Sequence, residues 1–272
     1  MLTVRLARDK SEIDAAQHLR YRVFYEELSA RPDHRARVTR RDRDRYDAAC
    51  DHMLVVRHAK PLTINPIELR DGELIATYRL LTQDRAGNAA GFYSQSEFDI
   101  APLLKSMPQL DFIELGRSCV LPPYRTRHAI EALWQGIWDY VRARKLDVML
   151  GCASLPGTNP DALAVPLSYL AHNHRAPRQW RASAHPERYV VMNRLPRGHY
   201  DDRQAMRGLS PLIRGYLRVG AFIGDGAVID DQFNTTDVLI ILPVTNISQR
   251  YLDHFDAPPR VPLANTSQPL MS

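Results

Sequence analysis

Asp111-Phe-Ile-Glu-Leu-Gly-Arg-Ser-Cys-Val120 is an apolar strand that carries a carboxylate and a guanidinium, and it is stopped by Pro122–Pro123. Thr126 follows as a helix cap. Ile130, Leu133, Trp134, Ile137, Trp138 and Val141 then recur at i, i+3, i+4 spacing, the clearest amphipathic helix in the chain. Asp147–Cys152 is a second apolar strand of the fully buried type. Strand, helix and strand in this order make one βαβ unit, so the fold class is mixed α/β. Outward from it, Leu74–Leu81 and Met53–Val56 read as neighbouring strands of an antiparallel meander. Residues 2–7 alternate like a strand. Ser11 reads as the cap of a first helix, in which Ile13, Ala16, Leu19, Val23, Phe24 and Leu28 hold helical spacing.

Between these elements the sequence predicts a solvated loop at 31–45, where seven arginines face Asp33, Asp42 and Asp44. It also predicts loops at 61–66, a turn at 83–88 and a short helix near Ile100–Lys105. A helix over Asp161–His172, broken near Pro166, and a strand at Tyr189–Met192 follow. Ser210–Pro211 opens a helix to about Ala221, and Val238–Leu242 is a further strand. The expected organisation is a core over 1–200, a C-terminal helical and strand extension over 201–256 packed on it, and a disordered tail over 257–272, rich in Pro, Ser, Thr and Asn.

Composition narrows the function. In 272 residues, 36 basic groups stand against 31 acidic ones, a net charge of +5. All but Lys10, Lys60, Lys105 and Lys145 of the basic groups are arginine, which favours an anionic partner without choosing among nucleic acid, membrane and acidic protein. No apolar run reaches the roughly 18 residues of a membrane span, and the charged N-terminus does not read as a secretory signal. Cys50, Cys119 and Cys152 are odd in number and far apart, so neither a disulfide framework nor a zinc site is expected, and the expected compartment is the cytoplasm. Phosphate-gripping glycine loops and a GxSxG elbow are missing. Cys152 ends an apolar strand and reads as packing. Asp44, Asp47, Asp51 and His52 read as salt-bridge partners rather than metal ligands, and no metal is expected.

Glu114 needs a partner, because a carboxylate desolvated alone is costly. Arg117 lies three residues on and would face the other side of a regular strand; a bulge at Gly116 would bring the two to one side. The pair reads equally as a structural ion pair or as chemistry. Arg20 and Phe24 share a face of the first helix.

Taken together these segments resemble the ornithine-lipid N-acyltransferases, a branch of the GNAT acyltransferase fold. The residues that carry the resemblance are Leu19-Arg-Tyr-Arg-Val-Phe-Tyr-Glu-Glu-Leu28, Asp44-Arg-Tyr-Asp47 with Cys50-Asp-His52, and Ala76-Thr-Tyr-Arg-Leu-Leu81. They continue with Gly91-Phe-Tyr-Ser-Gln-Ser-Glu-Phe-Asp99, Glu114-Leu-Gly-Arg-Ser-Cys-Val-Leu-Pro122, Leu133-Trp-Gln-Gly-Ile-Trp138 and Gly151-Cys-Ala-Ser154. Pro211-Leu-Ile-Arg-Gly-Tyr-Leu217 and Gly224-Asp-Gly-Ala-Val-Ile-Asp-Asp231 complete the set, so that the match covers about residues 2–255. A more distant likeness, to acyl-homoserine-lactone synthases, rests on Arg20, Phe24, Asp44, Asp47, Arg79, Glu114 and Arg117.

The resemblance implies a central mixed twisted sheet flanked by helices. It implies transfer of a 3-hydroxyacyl chain from acyl carrier protein to the α-amine of L-ornithine, giving lyso-ornithine lipid. The implied roles are Glu114 as base with Arg117 beside it, backbone N–H groups of Cys119, Val120 and Leu121 as oxyanion donors, and Arg20, Phe24, Asp44, Asp47 and Arg79 as substrate contacts. Arg20 or Arg79 would hold the substrate carboxylate; Asp44, Asp47 or Asp230–Asp231 would hold the side-chain ammonium. No bound cofactor is implied, the acyl group being carried on phosphopantetheine.

Where the wider GNAT pattern has glycines for a coenzyme A pyrophosphate, this chain has Tyr124-Arg-Thr-Arg-His-Ala129. That departure favours a carrier protein as donor, with Arg125 and Arg127 as its contacts. The lipidic product and the basic 207–221 segment suggest peripheral contact with an anionic inner-membrane surface, against the plainer reading of a helix packed on the core. The competing expectations are an N-acyltransferase for another amine and, further off, a nucleic-acid-binding or purely interacting protein.

Overall fold

The computed structural model describes residues 1–248 and Tyr251, so the expected tail at 257–272 lies outside the described residues. The chain opens with β1 (Leu2–Leu6), α1 (Lys10–Tyr21) continued by a π-helical turn (Arg22–Glu27), α2 (His34–Thr39), β2 (Asp51–Arg57), β3 (Glu68–Leu69) and β4 (Gly72–Thr82). It continues with α3 (Gln83–Ala86), β5 (Phe98–Asp99), α4 (Ala101–Ser106), β6 (Phe112–Val120), α5 (Arg127–Ala143), β7 (Val148–Pro156), α6 (Ala164–Asn173) and β8 (Ser183–Ala184). The C-terminal part holds α7 (Asp202–Gly208), α8 (Pro211–Arg218), β9 (Phe222–Ile223), β10 (Val228–Asp230) and β11 (Thr235–Pro243).

One mixed sheet runs β1-β2-β4-β6-β7-β11-β10, with β3 added to β4 and β9 to β11. Each neighbour pair is antiparallel except β6–β7, the parallel pair that α5 connects. The segment beyond residue 200 is built into the sheet: β11 pairs with β7 along its full length. Core side chains from both faces of the sheet are covered by helices, with α1 and α5 over β1, β2 and β4.

Two features place the site. β6 and β7 pair only at Phe112–Val148, Ile113–Met149 and Glu114–Leu150, and then separate. At the point of separation, a Cβ on Gly151 would lie 2.3 Å from the Leu115 carbonyl oxygen, so the close approach of the two backbones depends on glycine. On the other edge of β6, Thr77 faces Cys119 but Arg79 faces Gly116, so the register with β4 slips by one residue. This slip is a bulge just past Gly116, close to the position where the sequence reading allowed one, with Arg117 at φ 53°.

Other expectations needed correction. Asp9, not Ser11, caps α1: its side chain accepts the Glu12 N–H, while Ser11 Oγ donates to Asp9. The 31–45 segment is not simply a solvated loop, since Asp33 caps α2 and Asp42 is buried. Residues 83–88 form α3 and a following 3-10 turn. Pro166 sits in the first turn of α6, where its missing N–H costs nothing, so it does not break the helix. Tyr189–Met192 contributes one bridge, Val190 to Ala227, rather than a strand.

Candidate active site

A cavity of about 410 Å³ fills the gap between the separating strands. Leu115–Ser118 form one wall and Cys152–Ser154 the other, with Phe24, Phe233 and Tyr93 as aromatic lining. Its size suits a ligand of drug or acyl-chain dimensions. Glu114, Arg117, Arg79, Phe24 and Asp230 all line it, so five of the expected residues meet there.

Glu114 is buried and held from one side. The Ser94 N–H donates to Oε1 at 2.7 Å, the Ser94 hydroxyl donates to the same oxygen, and the Tyr93 N–H donates to Oε2 at 2.7 Å. Burial pushes its pKa up, against the opposing pull of these bonds. A carboxylate has about four acceptor positions, so capacity remains for a water or an amine in the cavity. The bulge turns the Arg117 side chain to the same cavity. There its guanidinium lies over the rings of Tyr93 (4.8 Å) and Phe233 (4.7 Å) and pairs with Asp42 (3.2 Å) and Asp44 (3.4 Å).

Beneath the cavity lies a layer of paired charges. Arg20 donates to Asp42 at 2.7 Å and Asp47 at 2.8 Å; Arg79 donates to Asp44 at 2.7 Å and Asp47 at 3.2 Å. Burial works against the Asp44 carboxylate, but Arg79 and Arg117 outweigh it and hold its pKa at about 2. Arg20, at 0% exposure, has no surface to offer a substrate, and Asp47 is buried under Arg20 and Arg79. Neither lines the cavity where a substrate contact was expected, nor does Asp44, whose oxygens serve Arg79 and Arg117. Asp51 pairs with Arg85 and Arg144, and the His52 ring meets the Asp47 carbonyl, in keeping with the salt-bridge reading.

The oxyanion expectation narrows. The Leu121 N–H donates to the Ile75 carbonyl and cannot serve. Alternation along an antiparallel ladder puts the Cys119 N–H on the same edge, toward β4. Of the three, only Val120 directs its N–H to the open edge, which it shares with Ser118, a cavity residue that the sequence reading missed. Arg125 pairs with Glu27 on the outside, and the Arg127 side chain is 87% exposed beside Glu131; neither lines the cavity. The apolar face of α8 is occupied: Ile213, Tyr216 and Leu217 are buried, and Tyr216 meets Tyr78 at 2.9 Å. That face therefore belongs to the core and not to a membrane surface.

Tyr93, Ser94, Phe233, Glu97 and Asp237 were missed, while Asp230 was expected, together with Asp231, at the side-chain ammonium. Glu97, Asp230 and Asp237 are buried carboxylates whose oxygens lie within 4.8 Å of one another, with Asp230 and Asp237 lining the cavity. A separating parallel pair with a bulged strand, a buried glutamate and an apolar cavity is an arrangement fit for acyl transfer.

Comparison with known proteins accords with this. Residues 19–135 match the acetyltransferase (GNAT) domain. An L-ornithine N(alpha)-acyltransferase of Agrobacterium fabrum is 49% identical over 93% of this chain and 85% of its own. That of Brucella abortus is 47% identical over 94% and 89%. The chain belongs to the L-ornithine N(alpha)-acyltransferase family. The family's fold extends further: a CoA-dependent acyl-homoserine lactone synthase, BjaI, solved with MTA, superposes with a TM-score of 0.50 at 12% identity, over 97% of this chain and 93% of that one. The protein is thus a GNAT-fold acyltransferase, and among the described residues no helix is long and apolar enough to cross a membrane.

Proposed function

We propose that this chain moves a 3-hydroxy fatty acyl group from the phosphopantetheine of acyl carrier protein to the α-amine of L-ornithine, giving lyso-ornithine lipid. The observation that carries the reading is the cavity itself: apolar and aromatic over most of its lining, it holds Glu114 and the open edge of β6 at one place. The curated relatives that share 39–49% identity are named L-ornithine N(alpha)-acyltransferases, which supports the acceptor and the acylated amine.

The reaction is aminolysis of a thioester. The α-ammonium gives up a proton to Glu114, directly or through a water. Its nitrogen then bonds to the thioester carbon, and the C–S bond breaks. The leaving thiolate takes the proton released from the nitrogen. Burial, by raising the Glu114 pKa toward working pH, makes that carboxylate a better base than an exposed one. The Val120 and Ser118 N–H groups supply the donors for the oxyanion. Arg79 and Arg117, which line the cavity, are placed to attract the substrate carboxylate.

A carrier-protein donor fits the first turn of α5. There the Thr126 hydroxyl accepts the Ala129 N–H at 3.2 Å, spending a donor that a pyrophosphate would otherwise take. No bound cofactor enters this scheme. Exposed Arg125 and Arg127 suit an acidic carrier protein or an anionic inner-membrane face on the cytoplasmic side.

Two experiments follow. Acyl carrier protein or coenzyme A loaded with the same 3-hydroxyacyl chain is supplied with ornithine, and acylated amines are identified by mass spectrometry. Lack of acyl-ornithine from either donor would sink the reading. For the docking surface, Arg125→Glu with Arg127→Glu should lower kcat/KM for the carrier-protein donor by about tenfold, and leave a small N-acetylcysteamine thioester unaffected. Equal losses for both donors would remove these arginines from docking.

A further inference from the structure

Among the described residues, one buried cluster of carboxylates is not used by the acyl-transfer scheme. Glu97 ends the turn that grips Glu114, Asp230 ends β10, and Asp237 lies on β11. The β10–β11 pair and a turn more than 130 residues earlier thus bring three buried carboxylates together, their oxygens within 4.8 Å of one another. Among the described residues none of the three has an arginine or lysine within ion-pairing distance. Arg188, the nearby cation, spends its guanidinium on the carbonyls of Ser96 and Ile229. Glu97 is 2% exposed, and its Oε2 has no hydrogen-bond partner. Bonds from the Gln232 and Phe233 N–H groups orient Asp230, and one from the Thr235 hydroxyl orients Asp237. Such a group of carboxylates without an ion-pair partner is costly unless protons neutralise it or a cation completes it.

The location says which cation. Asp230, Asp237 and Glu114 line the same cavity as Cys152, and the charges of Glu97, Asp237 and Glu114 all act on the Cys152 thiol. We infer that Glu97, Asp230 and Asp237 form the subsite for the side-chain ammonium of a diamino acid, leaving the α-amine as the one presented to the acyl donor. The inference rests on the ornithine reading above and names what selects that acceptor. An alkylammonium offers three donors, one for each carboxylate. A neutral side chain of the same length would leave all three unpaired, the situation in which buried polar groups reject an analogue most strongly.

The groups facing Glu97 are Asp230, Asp237, Cys152, Tyr93 and Arg188. Burial, and then the Asp237 charge, push the Glu97 pKa up to about 7. Burial raises Asp237 as well. An acid whose folded pKa is raised stabilises the fold while protonated, and that contribution is lost as pH rises through about 7. Ammonium affinity has the opposite trend and should increase over the same range.

The test uses the full chain without acyl donor, so that it does not depend on turnover. Calorimetry should show L-ornithine binding at least about 100-fold more tightly than L-norvaline, which lacks only the terminal amine. Glu97→Gln and Asp237→Asn should each remove most of that preference. They should also raise Tm, because relief of repulsion separates lost binding from lost folding. Ornithine affinity should increase through pH 7 in the native chain and stay flat in Glu97→Gln. Three results would overturn the inference: equal binding of both amino acids, an unchanged preference in the variants, or stoichiometric Mg2+, Mn2+ or Ca2+ that the variants lose and ornithine does not displace. A native chain that acylates ornithine while the variants keep its preference refutes the subsite alone. A native chain that binds ornithine through the cluster yet acylates none refutes the acyl-transfer reading alone.

Discussion

Glu114→Gln should keep the fold and lower kcat by about 100-fold or more, the range in which a positioned general base contributes. Gln is the same size but takes no proton. Its amide also turns an N–H toward either Tyr93 or Ser94, whose own N–H groups now donate to the carboxylate. Some loss of stability is therefore expected, and circular dichroism with thermal unfolding separates it from the loss of rate. The pH profile carries the sharper signature. Because burial raises the Glu114 pKa, kcat should fall as pH drops through that raised value, and this acid limb should vanish in the variant. Ser94→Ala should move the limb upward, since the Ser94 bonds hold the pKa down. The limb is read at saturating ornithine, where Glu97 no longer contributes through acceptor binding. Unchanged turnover in a folded Glu114→Gln protein would remove Glu114 as the base.

The largest stability effect is expected from Asp47→Ala. Asp47 accepts bonds from Arg20, Arg79, Gln17 and the Asp44 N–H, all at buried or part-buried positions. Its removal leaves two guanidiniums short of a counter-charge with little water nearby. Breaking a buried pair in this way costs about 3–5 kcal/mol. For a chain of this size that lowers Tm by roughly 6 °C or more. Arg20→Ala should cost a similar amount, by stranding Asp42 and Asp47. The double variant should cost less than the sum, because each single change leaves the other's charge exposed to burial alone. Additive losses in a thermal-unfolding cycle would mean that the ion-pair layer does not act as a unit.

Much of the scaffold was legible because it follows local rules. The βαβ unit at 112–152 has a strong period and clear stops, and Glu114 stood out as a carboxylate inside an apolar strand. The bulge was legible only as the device that would put Glu114 and Arg117 on one side, and in the structure the two have other partners: the Tyr93 and Ser94 N–H groups for the carboxylate, Asp42 and Asp44 for the guanidinium. The arginine-rich 31–45 segment misled because its apolar content is low. Burial there is carried by ion pairs with Arg20, Arg79 and Arg117, partners that only the fold brings near. The cluster joins Glu97 to Asp230 and Asp237 of the β10–β11 pair, a proximity between distant segments that no local pattern records. One clue was available: Asp237 sits at the start of Thr235-Thr-Asp-Val-Leu-Ile-Ile-Leu242, the same signal of a lone carboxylate in an apolar strand that singled out Glu114.

The bulge in β6 reverses a familiar expectation about mutational tolerance. Arg117 holds a left-handed backbone conformation that a side chain ordinarily avoids, at a strain of about 1–3 kcal/mol. A substitution survey guided by backbone geometry alone would choose glycine there. Yet two aspartates and two aromatic rings fix the guanidinium, so here the side chain holds the backbone in place. Glycine would relax the turn and release the anchor together, and β6 would be free to slide back into register with β4. The reacting edge of the strand thus depends on a deliberate mismatch between residue and conformation, with electrostatic attraction serving as the latch.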